Sequence, residues 1–245
     1  MPIDDFKLII PARLKSSRLP NKLLKKIGTK TVLERVIEKC LEKIERKKLV
    51  VATPDKKIIE LCKKINIETF LSSDNCLTGT DRVAEYSIKN KYKYYINVQG
   101  DEIFLNSKTI EKVILEIKKG NYEIINCYNK INKKEDFYSS SVPKVVFNKN
   151  EELLYMSRAP IPSNKLQKFK YGNRQVCVYG FSRNALLLFK KYKKKTPLEK
   201  NEDIEILRFL EINKKIKMIS TTGSEISIDT LKDYKLAKKI ILKKI

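Results

Sequence analysis

Short apolar runs separated by amphipathic stretches set the pattern of this chain. Leu8, Ile9 and Ile10 form a run closed by Pro11, which predicts a strand buried on both faces and ending at the proline. Over residues 31–47 the apolar positions Val32, Leu33, Val36, Ile37, Cys40, Leu41 and Ile44 recur at helical spacing, predicting a core-facing helix. Residues 48–53 read as a second short buried strand. Pro54 and Asp55 then open a helix with Ile58, Ile59, Cys62 and Ile65 on its apolar side, and residues 68–71 read as a third strand. Strand and helix alternating at this spacing predict right-handed βαβ crossovers and an α/β fold with a mainly parallel sheet flanked by helices.

Residues 78–85, TGTDRVAE, turn from hydroxyls and a glycine into a helical pattern, and YYINVQGDE over 94–102 reads as a strand ending at Val98 before a turn at Gly100. A helix over about 107–119 and a strand over 123–127 follow. The pattern then changes. Residues 128–141 are polar and irregular, 144–147 and 152–155 flank Asn148, Lys149 and Asn150 as a hairpin, and 174–181 is another extended run. These features predict one domain over 1–245 with a smaller β-rich sub-lobe at roughly 128–200.

Composition changes the picture in three respects. With 245 residues and 42% apolar content the chain can supply a full core. It has no stretch near the ~20 apolar residues of a membrane span and no basic and then apolar leader at its start, so a soluble, cytoplasmic protein is expected. Five cysteines, Cys40, Cys62, Cys76, Cys127 and Cys177, are odd in number and form no CxxC pair, and histidine is absent. That excludes the usual zinc sites and any imidazole base. A metal would therefore be held by carboxylates, which suits magnesium.

The net charge of +24 raises nucleic acid as a partner. Only nine of the 53 basic residues are arginine, and the lysines are spread over nearly every segment without clustered aromatics. The expectation is therefore anionic small molecules and not nucleic acid.

Candidate chemistry concentrates where strands end. After Pro11 comes a loop with Arg13, Lys15, Arg18 and Lys22 among Ser16, Ser17 and Pro20. Beyond the carboxyl end of a strand in an open α/β sheet, such a loop reads as a polyphosphate cradle or as a solvated basic surface. The 78–85 segment suits a base, ribose or phosphate contact, or else Thr80 or Asp81 simply caps its helix. Asp101 stands where a divalent ion bridging phosphates would need a hard ligand, or where a turn aspartate would bond its own backbone. Asp229 follows a strand-like run over 224–228, as a second metal carboxylate or as an N-cap.

Taken in order, LIIPARLKSSRLPNK, TGTDR, INVQGDE, SRAPIP, RQVCVYGF, PLEKNEDIEILR and SIDTLKD closely resemble motifs of the sugar cytidylyltransferases, in particular the 3-deoxy-manno-octulosonate cytidylyltransferases. The resemblance implies a Rossmann-like sheet of the nucleotide-diphospho-sugar transferase type and transfer of CMP from CTP to a 2-ulosonic acid. It puts Pro11, Ala12, Arg13, Ser16, Lys22, Thr78, Gly79, Arg82 and Asp101 around the nucleotide, with Arg13 and Lys22 on triphosphate charge. It makes Asp101 and Asp229 magnesium ligands and gives Gln99, Arg158, Gln175, Tyr179 and Glu205 to the sugar, Arg158 receiving its carboxylate. It also implies a homodimer that supplies bacterial surface polysaccharide synthesis.

Several positions depart from the family pattern. Ile103 replaces a proline, Gln175 a histidine, Ile206 a glutamine, Ser227 a glycine and Leu231 a proline. Gln175 and Ile206 suggest altered contacts to the distal part of the sugar, so an amino-modified or neuraminic-type acid is an alternative substrate.

Overall fold

A computed structural model of the chain describes residues 5–16, 18–222 and 227–243; Ser17 and most of the 224–228 run lie outside the described residues. The first strand, β1 (Phe6–Pro11), is buried along its whole length and ends at the proline, as its sequence predicts. The basic loop leads through a 3₁₀ turn, Lys22–Leu24, into a small hairpin, β2 (Lys26–Ile27) and β3 (Lys30–Thr31). Next come α1 (Val32–Leu41), β4 (Leu49–Thr53), α2 (Lys56–Lys64), β5 (Glu68–Leu71), α3 (Gly79–Lys89), β6 (Tyr94–Val98) and α4 (Lys108–Lys118). The rest of the chain is β7 (Ile124–Lys130), α5 (Lys134–Tyr138), β8 (Lys144–Phe147), β9 (Leu153–Ser157), β10 (Asn173–Ser182), α6 (Arg183–Lys191), α7 (Pro197–Glu202), α8 (Leu207–Glu211), β11 (Lys217–Ser220) and α9 (Leu231–Leu242).

The main sheet has the order β11–β7–β10–β6–β1–β4–β5. β1 is parallel to β4 and β6, β4 to β5, and β7 to β11, whereas β10 runs antiparallel between β6 and β7. Both faces are covered by helices, as alternation within β1 shows. Leu8 and Ile10 join one apolar cluster with Val36, Ile37, Ile58 and Val113, and Ile9 joins the other with Val83, Ala84, Phe181 and Phe209. Each such side chain contributes about 1.5–3 kcal/mol of burial.

Two stretches differ from the periodicity. The helix expected over 31–47 stops at Leu41, and Ile44 reaches the core from a turn whose amide bonds Cys40 O at 3.2 Å. The stretch 128–141, expected to be irregular, begins as the end of β7, because Tyr128 and Asn129 pair with Gln175 and Arg174 across the sheet. It then forms the short helix α5, which buries Phe137 against Ile131 and Val142. The hairpin β8–β9 attaches to the sheet through the first residues of β10. Among the described residues no helix is long and apolar enough to cross a membrane.

Candidate active site

The carboxyl ends of β1 and β6 lie side by side and open onto two adjoining cavities of about 260 and 240 Å³. Pro11, Ala12, Arg13, Ser16, Lys22, Thr78, Gly79, Arg82 and Asp101 line the first; Gln99, Arg158, Gln175, Tyr179, Glu205 and Asp229 line the second. The residues that the resemblance assigns to nucleotide, sugar and metal thus line one crevice. Arg13, Arg18, Thr78, Gly79, Gln99, Asp101 and Asp203 border both cavities.

Local bonds shape the loop after β1. Leu14 N donates to Asp55 Oδ2 at 2.8 Å, and Asn21, left-handed at φ 56°, donates its amide to Leu14 O at 3.1 Å. The loop therefore folds back and brings Lys22 over the end of β6. There the Lys22 ammonium bonds Asp101 and, at 3.1 Å, Asp229 Oδ1, to which Arg18 Nη2 also donates at 3.0 Å. Ile228 N donates to Asp101 O at 3.2 Å, tying the chain before α9 to the β6 turn. Burial opposes the charge on Lys22, but Asp101 and Asp229 outweigh it and hold its pKa above the ordinary lysine value. Asp229 is not an N-cap: Thr230 caps α9, in a capping box with Asp233.

Two glycines allow close approach. A Cβ on Gly100 would lie 3.3 Å from Pro11 O, and one on Gly79 would lie 2.5 Å from Gln99 Nε2. At the start of α3 the cap is Thr78, with Asp81 as its capping-box partner, and not Thr80 or Asp81. Asp81 also accepts from Arg208 Nη1 at 3.2 Å, while Arg208 makes two 2.7 Å bonds to Glu199 and lies 3.7 Å from the Phe189 ring. Glu205 accepts from Gln99 Nε2 at 2.9 Å and from Thr80 N at 3.0 Å, and burial raises its pKa. Arg82 is anchored to Ser72 Oγ at 2.6 Å and Ser73 O at 2.9 Å.

Around the second cavity Arg158 commits three of the five donors of a guanidinium to backbone carbonyls: Glu202 O at 2.5 Å, Ser140 O at 2.8 Å and Asp203 O at 3.1 Å. It retains two N–H donors for a ligand. Behind it Lys144, wholly buried, donates to Ser139 O at 2.8 Å and Arg158 O at 2.5 Å; burial and then Arg158 pull it down to about 8. Arg174 stands opposite Lys144 in the β8–β10 pair, is 8% exposed and lines this cavity with no hydrogen bond from its guanidinium among the described residues. Burial and the adjacent Asp101 push Glu102 up to about 7.

The sequence reading missed Arg174 and Glu102, and a charge at the head of the extended 174–181 run was the signal that could have revealed Arg174. Ile206 corrects another expectation. It is 1% exposed within the core that contains Phe181 and Phe209, so in this chain it packs behind the site and does not line the cavity.

The donor set fits magnesium. Asp101 and Asp229 both reach one nitrogen, so their oxygens can share one cation. Magnesium is a cation that two carboxylates suffice to hold, and among the described residues no group of three or more ligating side chains gathers.

Residues 8–216 match the family model described as cytidylyltransferase. The 3-deoxy-manno-octulosonate cytidylyltransferase of Rickettsia prowazekii is 37% identical, covering 99% of this chain and 98% of that protein. That of Francisella tularensis subsp. holarctica is 36% identical over 96% and 98%. A solved structure of CMP:2-keto-3-deoxy-manno-octonic acid synthetase complexed with CTP superposes with a TM-score of 0.89 over 99% of this chain and 100% of its own, at 24% identity. A putative glucose-1-phosphate thymidylyltransferase from Bacillus anthracis shares the fold more distantly, with a TM-score of 0.70 at 12% identity over 96% and 94%. With the family model spanning most of the chain and curated relatives matched almost end to end, this chain belongs to the cytidylyltransferase family, as a nucleotidyltransferase of the 3-deoxy-manno-octulosonate type.

Proposed function

We propose that this enzyme activates a 3-deoxy-2-ulosonic acid with CTP, giving the CMP-sugar and pyrophosphate. The observation that carries the reading is the convergence of the basic β1 loop and the Arg158–Gln175 wall on one carboxylate pair, Asp101 and Asp229. In the reaction the anomeric oxygen of the sugar forms a bond to the α-phosphorus, the bond from that phosphorus to the bridging β-phosphate oxygen breaks, and the hydroxyl proton leaves to solvent. Arg13 and Lys22 stabilise the charge of the triphosphate, which grows on the leaving pyrophosphate. Thr78, Gly79 and Arg82 line the nucleotide side, Gln99 and Glu205 orient the sugar, and Arg158 receives its carboxylate with its two remaining donors. Asp101 and Asp229 would hold a magnesium ion, which when bound lowers the pKa of the hydroxyl and neutralises phosphate charge, so that no histidine is required.

The wider setting belongs to the same proposal. Five free thiols support a reducing cytoplasm. Exposed Leu154, Leu166 and Tyr171 on the β-rich side support a homodimer through that sub-lobe. The product would feed bacterial surface polysaccharide synthesis, as the relatives' activity implies.

The test is pyrophosphate release from each of the four NTPs with 3-deoxy-manno-octulosonic acid and with a neuraminic-type acid. CTP with the octulosonic acid is expected to dominate. Preference for UTP or ATP, or release with no sugar acid tried, would overturn the proposal.

A further inference from the structure

The strand that carries Gln175 does not pair evenly with its neighbour. Val176 is opposite Cys127, and pairing resumes with Tyr179 opposite Asn126, so Cys177 and Val178 form a bulge in β10. A bulge releases backbone carbonyls from the ladder, and here Asn126, wholly buried, closes it: its Nδ2 donates to Val176 O and to Val178 O, each at 3.0 Å. Carbonyl oxygens only accept. Asn126 must therefore turn its NH₂ group to the bulge and its Oδ1 toward Gln175.

That orientation propagates one residue further. Gln175 Nε2 lies 3.2 Å from Asn126 Oδ1 and 3.2 Å from the Tyr179 hydroxyl. Because Asn126 Oδ1 can only accept, Gln175 must present its NH₂ group inward, and both amide hydrogens are used there. Its Oε1 accepts from no described residue, and it is not among the buried polar atoms that lack a partner. With Gln175 lining the second cavity, that oxygen is the part of the side chain left to meet a ligand.

We infer that Asn126 is a positioning residue that fixes Gln175 as a pure hydrogen-bond acceptor, so that the sugar acid must carry a donor, hydroxyl or ammonium, on the group facing Gln175. The inference rests on the sugar-acid reading above and adds which chemistry the sugar side selects. A group without a donor leaves Gln175 Oε1 desolvated and unmatched, and a site built around a hydrogen bond discriminates strongly against an analogue that lacks it.

The test measures kcat and KM with 3-deoxy-manno-octulosonic acid and with its 7-deoxy, 8-deoxy and 8-amino-8-deoxy analogues. The proteins are the natural chain, Gln175→Met and Asn126→Ser. At least one deoxy analogue should lose about tenfold or more in kcat/KM, mainly through KM, with the natural chain. That loss should shrink to less than about threefold in Gln175→Met, which keeps the length of the side chain, and in Asn126→Ser, which frees the amide to rotate. Preference for the amino analogue would identify the donor as an ammonium and preference for the parent as a hydroxyl, and either supports the inference. Equal use of all analogues by the natural chain, or a deoxy loss that persists in both variants, overturns it. If Asn126→Ser does not fold, Gln175→Met decides by the same criterion. Failure of every sugar acid to release pyrophosphate with CTP would instead overturn the function on which the inference rests.

Discussion

Asp101 and Asp229 accept hydrogen bonds from one and the same nitrogen, Nζ of Lys22, although they stand 79 and 207 positions from it in the chain. The ammonium is the counter-charge that lets two carboxylates face each other at 19% and 22% side-chain exposure. Asp101→Asn and Asp229→Asn each remove charge and no volume. Turnover should fall at least about a hundredfold while the fold survives. Pyrophosphate release at saturating magnesium, beside a circular-dichroism melt, checks both halves, and a variant with near-normal turnover would exclude that residue from the metal site.

Lys22→Met leaves Asp101 without its cation and Asp229 with Arg18 alone. In a chelator the variant should be less stable by about 1–3 kcal/mol, and magnesium should raise its melting temperature more than that of the natural chain. Turnover with CTP should fall more than affinity for the sugar, since leaving-group charge is largest in the transition state. Thermal melts with and without magnesium, set beside steady-state rates, test this. An equal response of the two proteins to magnesium would remove the competition between Lys22 and a cation.

Gly79→Ala tests close approach at the nucleotide end of α3. The added methyl meets the amide of Gln99, the far end of a flexible side chain, so Gln99 should swing aside at little cost in stability. Glu205 then loses its 2.9 Å donor. The expected outcome is a melting temperature within a few degrees of the natural value and a kcat/KM for the sugar lower by about tenfold or more. Calorimetry and kinetics on the same preparation separate the two effects.

Arg208→Met removes the buried guanidinium that neutralises Glu199 and Asp81. Both carboxylates remain, and the cost should be about 3–5 kcal/mol, read by urea unfolding. Because Asp81 is the capping-box partner of Thr78, KM for CTP should rise as well. Replacing Glu199 together with Arg208, as Glu199→Leu/Arg208→Met, should recover part of the stability.

The cysteines predict a pH dependence. Burial pushes Cys62 up to about 12 from an ordinary 9.0 and moves Cys40 and Cys127 in the same direction. Above pH 9 the unfolded thiols give up protons that the folded ones keep, so the unfolded state binds fewer protons and stability falls as pH rises. Lys144, lowered to about 8, works the opposite way between there and 10.5, but it is a single group. Urea unfolding from pH 8 to 10.5 should show the decline. Cys62→Ala should reduce its slope by up to about 1.4 kcal/mol per pH unit.

Periodicity and end signals in the sequence determined the strands at 6–11, 49–53 and 68–71, the helices between them and the crevice at the carboxyl ends of β1 and β6, because burial on one or both faces imposes a spacing of residues that can be read locally. The ordered motifs likewise determined which side chains meet there, from Arg13 to Asp229. Partners across space were not legible. An extended run such as 173–182 reads the same at an edge as between β6 and β7, and only tertiary pairing made it an interior antiparallel strand of the sheet. Ile206 reads as a lost polar contact until packing places it in the core, and Arg174 as one more basic residue until its burial is seen. Lys22 between two carboxylates, and Asn126 setting the polarity of Gln175, depend on hydrogen bonds directed over distances of 49 to 207 positions. Such directionality resides in the folded geometry, and no local pattern encodes it.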